Sequence, residues 1–186
     1  MGRFGLYHVV MAKLIVFLGN PGLQYRQTRH NVAWLVCDSL CDMLSGTVPQ
    51  ISWQSKFHGL YCKQGDSILL KPQTFMNESG ISVQEASKFY NIDPKQVMVV
   101  HDDIELEFGK VKAQLGGGMG GHNGLRSVKQ HLGTDQFRRL RVGVGRPDAR
   151  IQVADHVLGR FSPVEERLLG SILECAAETA LQYMNA

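Results

Sequence analysis

Four short apolar runs alternate with helix-length amphipathic periods, and that alternation constrains the fold more than any other feature of the chain. The runs are Leu14 to Leu18, Ser67 to Leu70, Val97 to Val100 and Leu140 to Val144. The helical periods are Val32 to Leu44, Ile81 to Tyr90, Leu125 to Leu132 and Val164 to Met184. A strand that reads as a continuous apolar run must be covered on both faces, and helices interleaved with such strands supply the cover. The expectation is an α/β single-domain layered sandwich with a mixed, mostly parallel central sheet flanked by helices. His58 to Tyr61 and Val111 to Leu115 are shorter strand candidates, expected to pair antiparallel at an edge and so make the sheet mixed. Ser162 as N-cap and Pro163 as first helical residue open the last helix. Its residues Val164, Leu168, Leu169, Ile172, Ala176 and Leu181 are expected to form one packing face.

With 186 residues, 44% of them hydrophobic, the chain can bury one substantial core, and no linker divides it. Met11-Ala12-Lys13-Leu14 reads as a natural start. Residues 1–10 are therefore expected to be an N-terminal extension and residues 11–186 the domain. No apolar stretch approaches the roughly 20 residues that span a bilayer, and the interrupted N-terminus is a poor secretory signal. A cytoplasmic protein is expected. Cys37, Cys41, Cys62 and Cys175 lack the paired spacing of a zinc site and read as buried reduced thiols. The seven histidines contain no HExxH pattern, so no metal is expected.

Chemistry concentrates in four segments: GNPGLQYRQTRHN at Gly19 to Asn31, KPQTFMNESG at Lys71 to Gly80, VVHDD at Val99 to Asp103, and GGGMGGHNG at Gly116 to Gly124. Gly19 to Gly22 make a turn after the first strand, and Thr28 stands where an N-cap would. His30 is thereby placed in the first turn of a helix beside a strand end. The positive helix terminus disfavours imidazolium, and a general base must be neutral. A capping or surface histidine is the competing reading. Asp102 closes a strand at the end where α/β proteins gather function, and its carboxylate could fix the tautomer of an imidazole and balance its charge. No GxSxG elbow provides a nucleophile, so water is the expected attacking group.

Asn20, Asn77 and Asn123 stand in or beside sharp turns. Each supplies a turn conformation or an uncharged donor and acceptor for an amide-rich ligand. The glycine loop lacks GK[ST] and matches no nucleotide fingerprint. It leads into a helix whose N-terminus could meet an anion. Between residues 110 and 150, nine basic residues face only Asp135 and Asp148 within a chain of net charge +3. Such a concentration fits a polyanion partner, against the alternative of a scattered solvated surface.

The order and spacing of GNPG..Y..TRHN, KP.TFMN.SG, HDD and GGG.GGHNGL resemble the bacterial-type peptidyl-tRNA hydrolases, from about Met11 to at least Arg146. The resemblance implies a single α/β domain that cleaves the ester between a peptide and the terminal ribose of tRNA, recycling tRNA after aborted translation. It implies no metal and no cofactor, and a monomer is expected. Position by position, His30 resembles the general base, Asp102 the residue that orients it, and Asn20 the group that favours N-blocked peptidyl over free aminoacyl substrates. Tyr25, Phe75, Asn77 and Asn123 match substrate-binding positions. Lys110, Lys112, Arg126, Lys129, Arg138 and Arg141 are the candidates for holding the tRNA backbone. Departures are small: Phe17 precedes LGNPG, Ala33 stands where glycine is common, Asp103 where glutamate is frequent, and the chain is short beyond Tyr183. A noncatalytic RNA-binding relative is the alternative, and a small nucleotide-binding protein, resting on the glycine loop alone, ranks below it.

Overall fold

In the computed structural model, which describes residues 12–46 and 51–186, a seven-stranded sheet carries helices on both faces. The proposed extension, residues 1–10, lies outside the described residues. The sheet order is β2-β3-β4-β1-β5-β7-β6, with β1 Lys13–Phe17, β2 Gln54–Lys56, β3 Gly59–Gln64, β4 Ser67–Pro72, β5 Val97–Asp103, β6 Val111–Leu115 and β7 Arg138–Gly143. The central four, β4, β1, β5 and β7, are mutually parallel, while β2, β3 and β6 join by antiparallel pairing. The two short strand candidates do not meet: β3 pairs with β4 on one side of the sheet, and β6 pairs with β7 at the opposite edge. His58 lies outside β3 with a positive φ of 50° in the turn that reverses the chain from β2. β2 has no apolar signature, its three residues being exposed.

Among the described residues, five α-helices complete the layers: α1 Val32–Ser45, α2 Ser79–Tyr90, α3 Asn123–Leu132, α4 Val153–Leu158 and α5 Pro163–Asn185. Side chains along β1 alternate between the layers, because successive Cβ atoms leave opposite faces of a strand. Ile15 and Phe17 pack under α1 and α5, whereas Leu14, Val16 and Leu18 pack under α2 and α3. At the crossing of α2 and α3 a Cβ on Gly80 would lie 2.1 Å from the Ser127 carbonyl oxygen. Only glycine allows that approach, which lets the Gly80 N–H donate to Ser127 Oγ at 2.9 Å and seats the helix that follows the glycine loop.

α5 opens as its sequence indicates, with Ser162 and Glu165 forming a reciprocal capping box and Pro163 in the first turn. Its packing face starts later than expected. Val164 and Leu168 are 64% and 54% exposed, and the buried positions are Ile172, Ala176, Ala177 and Ala180. The first turn and a half serves to anchor the end of α5 rather than to cover the sheet. The cysteines are free as expected but not uniformly buried: Cys37 and Cys62 are, Cys41 is half-buried and Cys175 is exposed.

Candidate active site

The loops leaving the C-terminal ends of β1, β4 and β5 converge with the glycine loop on one cleft of about 960 Å3. β1 delivers Asn20 and His30, the turn after β4 delivers Phe75, Met76 and Asn77, β5 delivers His101 and Asp102, and the glycine loop delivers His122 and Asn123. Tyr25 is not among the residues lining the cleft. It is half-buried, and its carbonyl accepts the Thr28 hydroxyl at 2.8 Å.

That hydroxyl corrects one expectation. Thr28 makes no capping bond, and His30 stands in a 3-10 turn, Arg29–Asn31, just ahead of α1 rather than within it. The backbone is fixed instead by Asn31. Its carboxamide oxygen accepts the Asn20 N–H and its NH2 donates to the Asn20 carbonyl, both at 2.9 Å. Asn31 is fully buried, so this two-point bond locks the GNPG turn to the TRHN turn. A Cβ on Gly19 would lie 2.6 Å from the Trp34 indole nitrogen, which is why the turn begins with glycine. Asn20 in turn accepts the Met76 N–H on its side-chain oxygen at 2.8 Å. Its NH2 remains the polar group available to the cleft that Asn20 lines.

His30 Nδ1 lies 2.8 Å from Asp102 Oδ1, and His122 Nε2 lies 3.0 Å from the same oxygen. The tautomers follow from the remaining contacts. His122 Nδ1 caps α3, accepting the Gly124 and Leu125 N–H groups at 3.1 and 3.3 Å, so its proton sits on Nε2 and is donated to Asp102. His30 likewise donates Nδ1–H to the carboxylate and leaves Nε2 unprotonated, the state a general base requires. Burial raises the Asp102 carboxyl, but the adjoining His122 and His30 imidazoles and their hydrogen bonds outweigh it and hold the group well below the usual carboxylate range. His101 lies behind this pair, its ring 5.1 Å from that of His122. Burial, then the neighbouring His122, pushes it down to about 3, against the backbone bond from its Nδ1 to the Asp102 carbonyl at 2.7 Å.

His30, Asp102 and His122 bring three potential ligand atoms within 4.8 Å of one another. The capping role of His122 opposes a metal there. Ligation through Nε2 would move the proton to Nδ1, facing the two backbone N–H groups that Nδ1 now accepts. The three groups form a hydrogen-bonded cluster in which two imidazoles share one carboxylate oxygen.

The basic tract is less free than its composition indicates. Lys129 pairs with Asp135 at 3.2 Å, Arg141 with Asp103 at 2.7 Å, Arg150 with Asp148 at 3.5 Å, and Arg146 with Glu105. Arg139 is 2% exposed and donates to the Gly117 and Gly118 carbonyls at 2.5 and 2.6 Å, holding the glycine loop. Lys110, Lys112, Arg126 and Arg138 are exposed and have no ion pair among the described residues. Lys112 lies directly opposite Arg141 in the β6–β7 register. Opposed residues share a sheet face, and Arg141 lines the cleft.

The sequence alone assigns no role to His122, His101, Met76 or α4, and it counts Arg139 with the basic tract although that side chain is buried under the glycine loop. His122 had a legible signal, an acceptor side chain immediately before the Asn-Gly that starts a helix. α4 had none beyond Val153, Val157 and Leu158, too short a period to read. Its Val153, Ala154, Val157 and Leu158 form the apolar wall of the cleft.

A family model described as Peptidyl-tRNA hydrolase matches residues 14–186. This chain belongs to the peptidyl-tRNA hydrolase family. The match extends well past Leu125, where the last of the sequence motifs ends, through the end of α5. Among its relatives, the peptidyl-tRNA hydrolase of Halalkalibacterium halodurans is 45% identical over 172 residues, covering 90% of this chain and 91% of that protein. That of Sorangium cellulosum is 44% identical over 175 residues, covering 91% and 77%. The crystal structure of peptidyl-tRNA hydrolase from Acinetobacter baumannii superposes with a TM-score of 0.79 at 37% identity, covering 94% of this chain and 93% of that one.

Proposed function

We propose that this chain hydrolyses the ester joining peptide to tRNA in peptidyl-tRNA, with water as nucleophile and His30 as general base. The observation that carries the reading is the 2.8 Å contact of His30 Nδ1 with the buried Asp102 carboxylate, because it leaves Nε2 basic at the cleft. Nε2 takes the proton from water as the oxygen attacks the ester carbonyl. Asp102 holds the ring and balances the imidazolium, which then returns its proton to the departing ribose oxygen. Asn20 offers its NH2 to the peptide next to the ester, favouring an acylated nitrogen over a free ammonium. Asn77 and Asn123 place further carboxamides along the cleft for peptide and terminal nucleotide, Phe75 adds an apolar face, and Tyr25 supports the turn that presents His30.

A positioned base contributes about 10²- to 10⁴-fold. Orientation of the bound substrate supplies much of the rest. Lys110, Lys112, Arg126 and Arg138 carry the uncompensated charge for the tRNA backbone; Lys129 and Arg141 contribute less, since carboxylates already neutralise them. The chemistry uses protein groups and water, with no metal or cofactor, and the protein acts as a cytoplasmic monomer. Among the described residues no helix is long and apolar enough to cross a membrane.

Incubation with peptidyl-tRNA and with aminoacyl-tRNA tests the proposal. Free tRNA should appear, and preferentially from the former. Tight tRNA binding without release would favour the noncatalytic RNA-binding reading instead.

A further inference from the structure

The turn that carries His30 is held from behind by its sequence neighbour. The Arg29 side chain is 11% exposed and reaches three pieces of the C-terminal segment. Its Nη1 donates to the Arg160 carbonyl at 2.6 Å and to the His156 carbonyl at 3.3 Å, and its Nη2 donates to Glu165 Oε2 at 2.7 Å. Its backbone N–H donates to the Gly159 carbonyl at 3.0 Å. The guanidinium stands 5.4 Å from the Phe161 ring centroid, and Thr28 bridges to Arg160 in antiparallel fashion. These contacts run from the end of α4 to the first turn of α5.

α4 needs such tethers. It has six residues and buries only Val157, and a helix that short has no stability of its own. On the far side it is held by His156 Nε2, within 3.3 and 3.0 Å of the Val144 and Gly145 carbonyls. A guanidinium presents five N–H donors in a rigid planar fork that matches acceptors spread over three residues, whereas an ammonium is a compact point charge with three donors.

We propose that Arg29 is a positioning residue that locks α4, the apolar wall of the cleft, onto the turn that presents His30. It thereby sets how firmly the peptidyl portion of the substrate is gripped. The kinetic consequence rests on the hydrolase activity proposed above; the mechanical one does not. His30 has supports of its own, the Asp102 bond and the Asn31 clamp. Releasing Arg29 therefore loosens α4 before it displaces the base.

Arg29→Lys and Arg29→Met in the full chain, read by amide hydrogen exchange without ligand and by steady-state hydrolysis, provide the test. Exchange across residues 153–160 should quicken by about tenfold or more while the core of α5 keeps its protection, since charge-assisted bonds are lost only at the tether. KM for peptidyl-tRNA should rise about tenfold and kcat should stay within about threefold, the pattern of lost binding rather than lost chemistry. Glu165→Gln retains the capping box, which glutamine also closes, but removes the charge facing Arg29. It should give a smaller shift in the same two readouts. Unchanged exchange at 153–160 in both Arg29 variants overturns the proposal, as does uniform acceleration that includes the α5 core, which would mark a merely structural residue. A fall in kcat at constant KM also overturns it, by showing that Arg29 acts on His30 and not on α4. Should Arg29→Met fail to fold, Arg29→Lys and Glu165→Gln decide between the same outcomes. A wild-type protein that releases no tRNA would defeat the hydrolase reading and leave the exchange result to decide the tether.

Discussion

Replacing Asp102 by asparagine isolates one quantity, the negative charge beside His30, because both imidazoles contact the same oxygen. A carboxamide oxygen in that place can accept both N–H groups. The flipped orientation would set an NH2 against the Nε2–H of His122, whose other nitrogen is committed to two backbone donors. The His122 contact therefore favours the oxygen-inward orientation, the His30 tautomer survives, and only the charge is lost. Two unit charges about 4.5 Å apart at an effective dielectric of about 20 interact by about 4 kcal/mol. Not all of that is specific to the transition state, and each 1.4 kcal/mol is about a factor of ten. Asp102→Asn is thus expected to slow single-turnover cleavage of peptidyl-tRNA by roughly 10²- to 10³-fold, less than removal of His30. Added to His30→Ala the substitution should cost little more, because the two residues act as a unit. A rate within about threefold of wild type from about pH 5.5 to about 9 would refute the charge argument. So would a double variant that loses the full product of both effects.

His30→Ala should abolish hydrolysis while tRNA binding and melting temperature stay close to wild type, the ring being placed for proton transfer and not for core packing; a folded variant that still turns over at near-normal rate removes His30 from the mechanism. Asn20→Asp keeps an acceptor for the Met76 N–H but replaces the NH2 with a carboxylate that attracts an ammonium. The ratio of kcat/KM for peptidyl-tRNA over aminoacyl-tRNA should fall by about tenfold or more, and a wild-type ratio would argue that Asn20 only shapes the turn. Stability should fall on mild acidification: the unfolded chain protonates His101 near 6.5 and the native chain only near about 3. Its contribution is therefore complete above about pH 6.5 and is lost progressively as the pH drops towards 3. Comparing urea midpoints at about pH 7.5 and about pH 5 for wild type and His101→Gln checks this, the variant being expected to lose less on acidification; equal losses would place the sensitivity elsewhere.

The alternation of strand-like and helix-like segments carried the α/β class, the four central strands and four of the five helices, because each of those elements has a period visible in its own residues. His30, Asp102 and the three asparagines stood out for a similar local reason: polar groups in turns at strand ends have few packing duties to explain them. What the chain could not show locally is how those groups share partners. That one oxygen of Asp102 serves both His30 and His122 depends on the register of β5 beside β1 and on the seating of α3. That Asn31, not Thr28, fixes the turn depends on a bond back across the β1 loop to Asn20. The basic tract shows the same division. Its composition is local, but Asp103 and Glu105, which neutralise Arg141 and Arg146, come from β5 and the segment after it and meet them only once β5 and β7 pair. α4 and the Arg29 tether were invisible for the complementary reason. A helix of six residues carries no period of its own, and the Arg29 side chain that tethers it lies more than a hundred residues away along the chain, so its place exists only in the folded molecule.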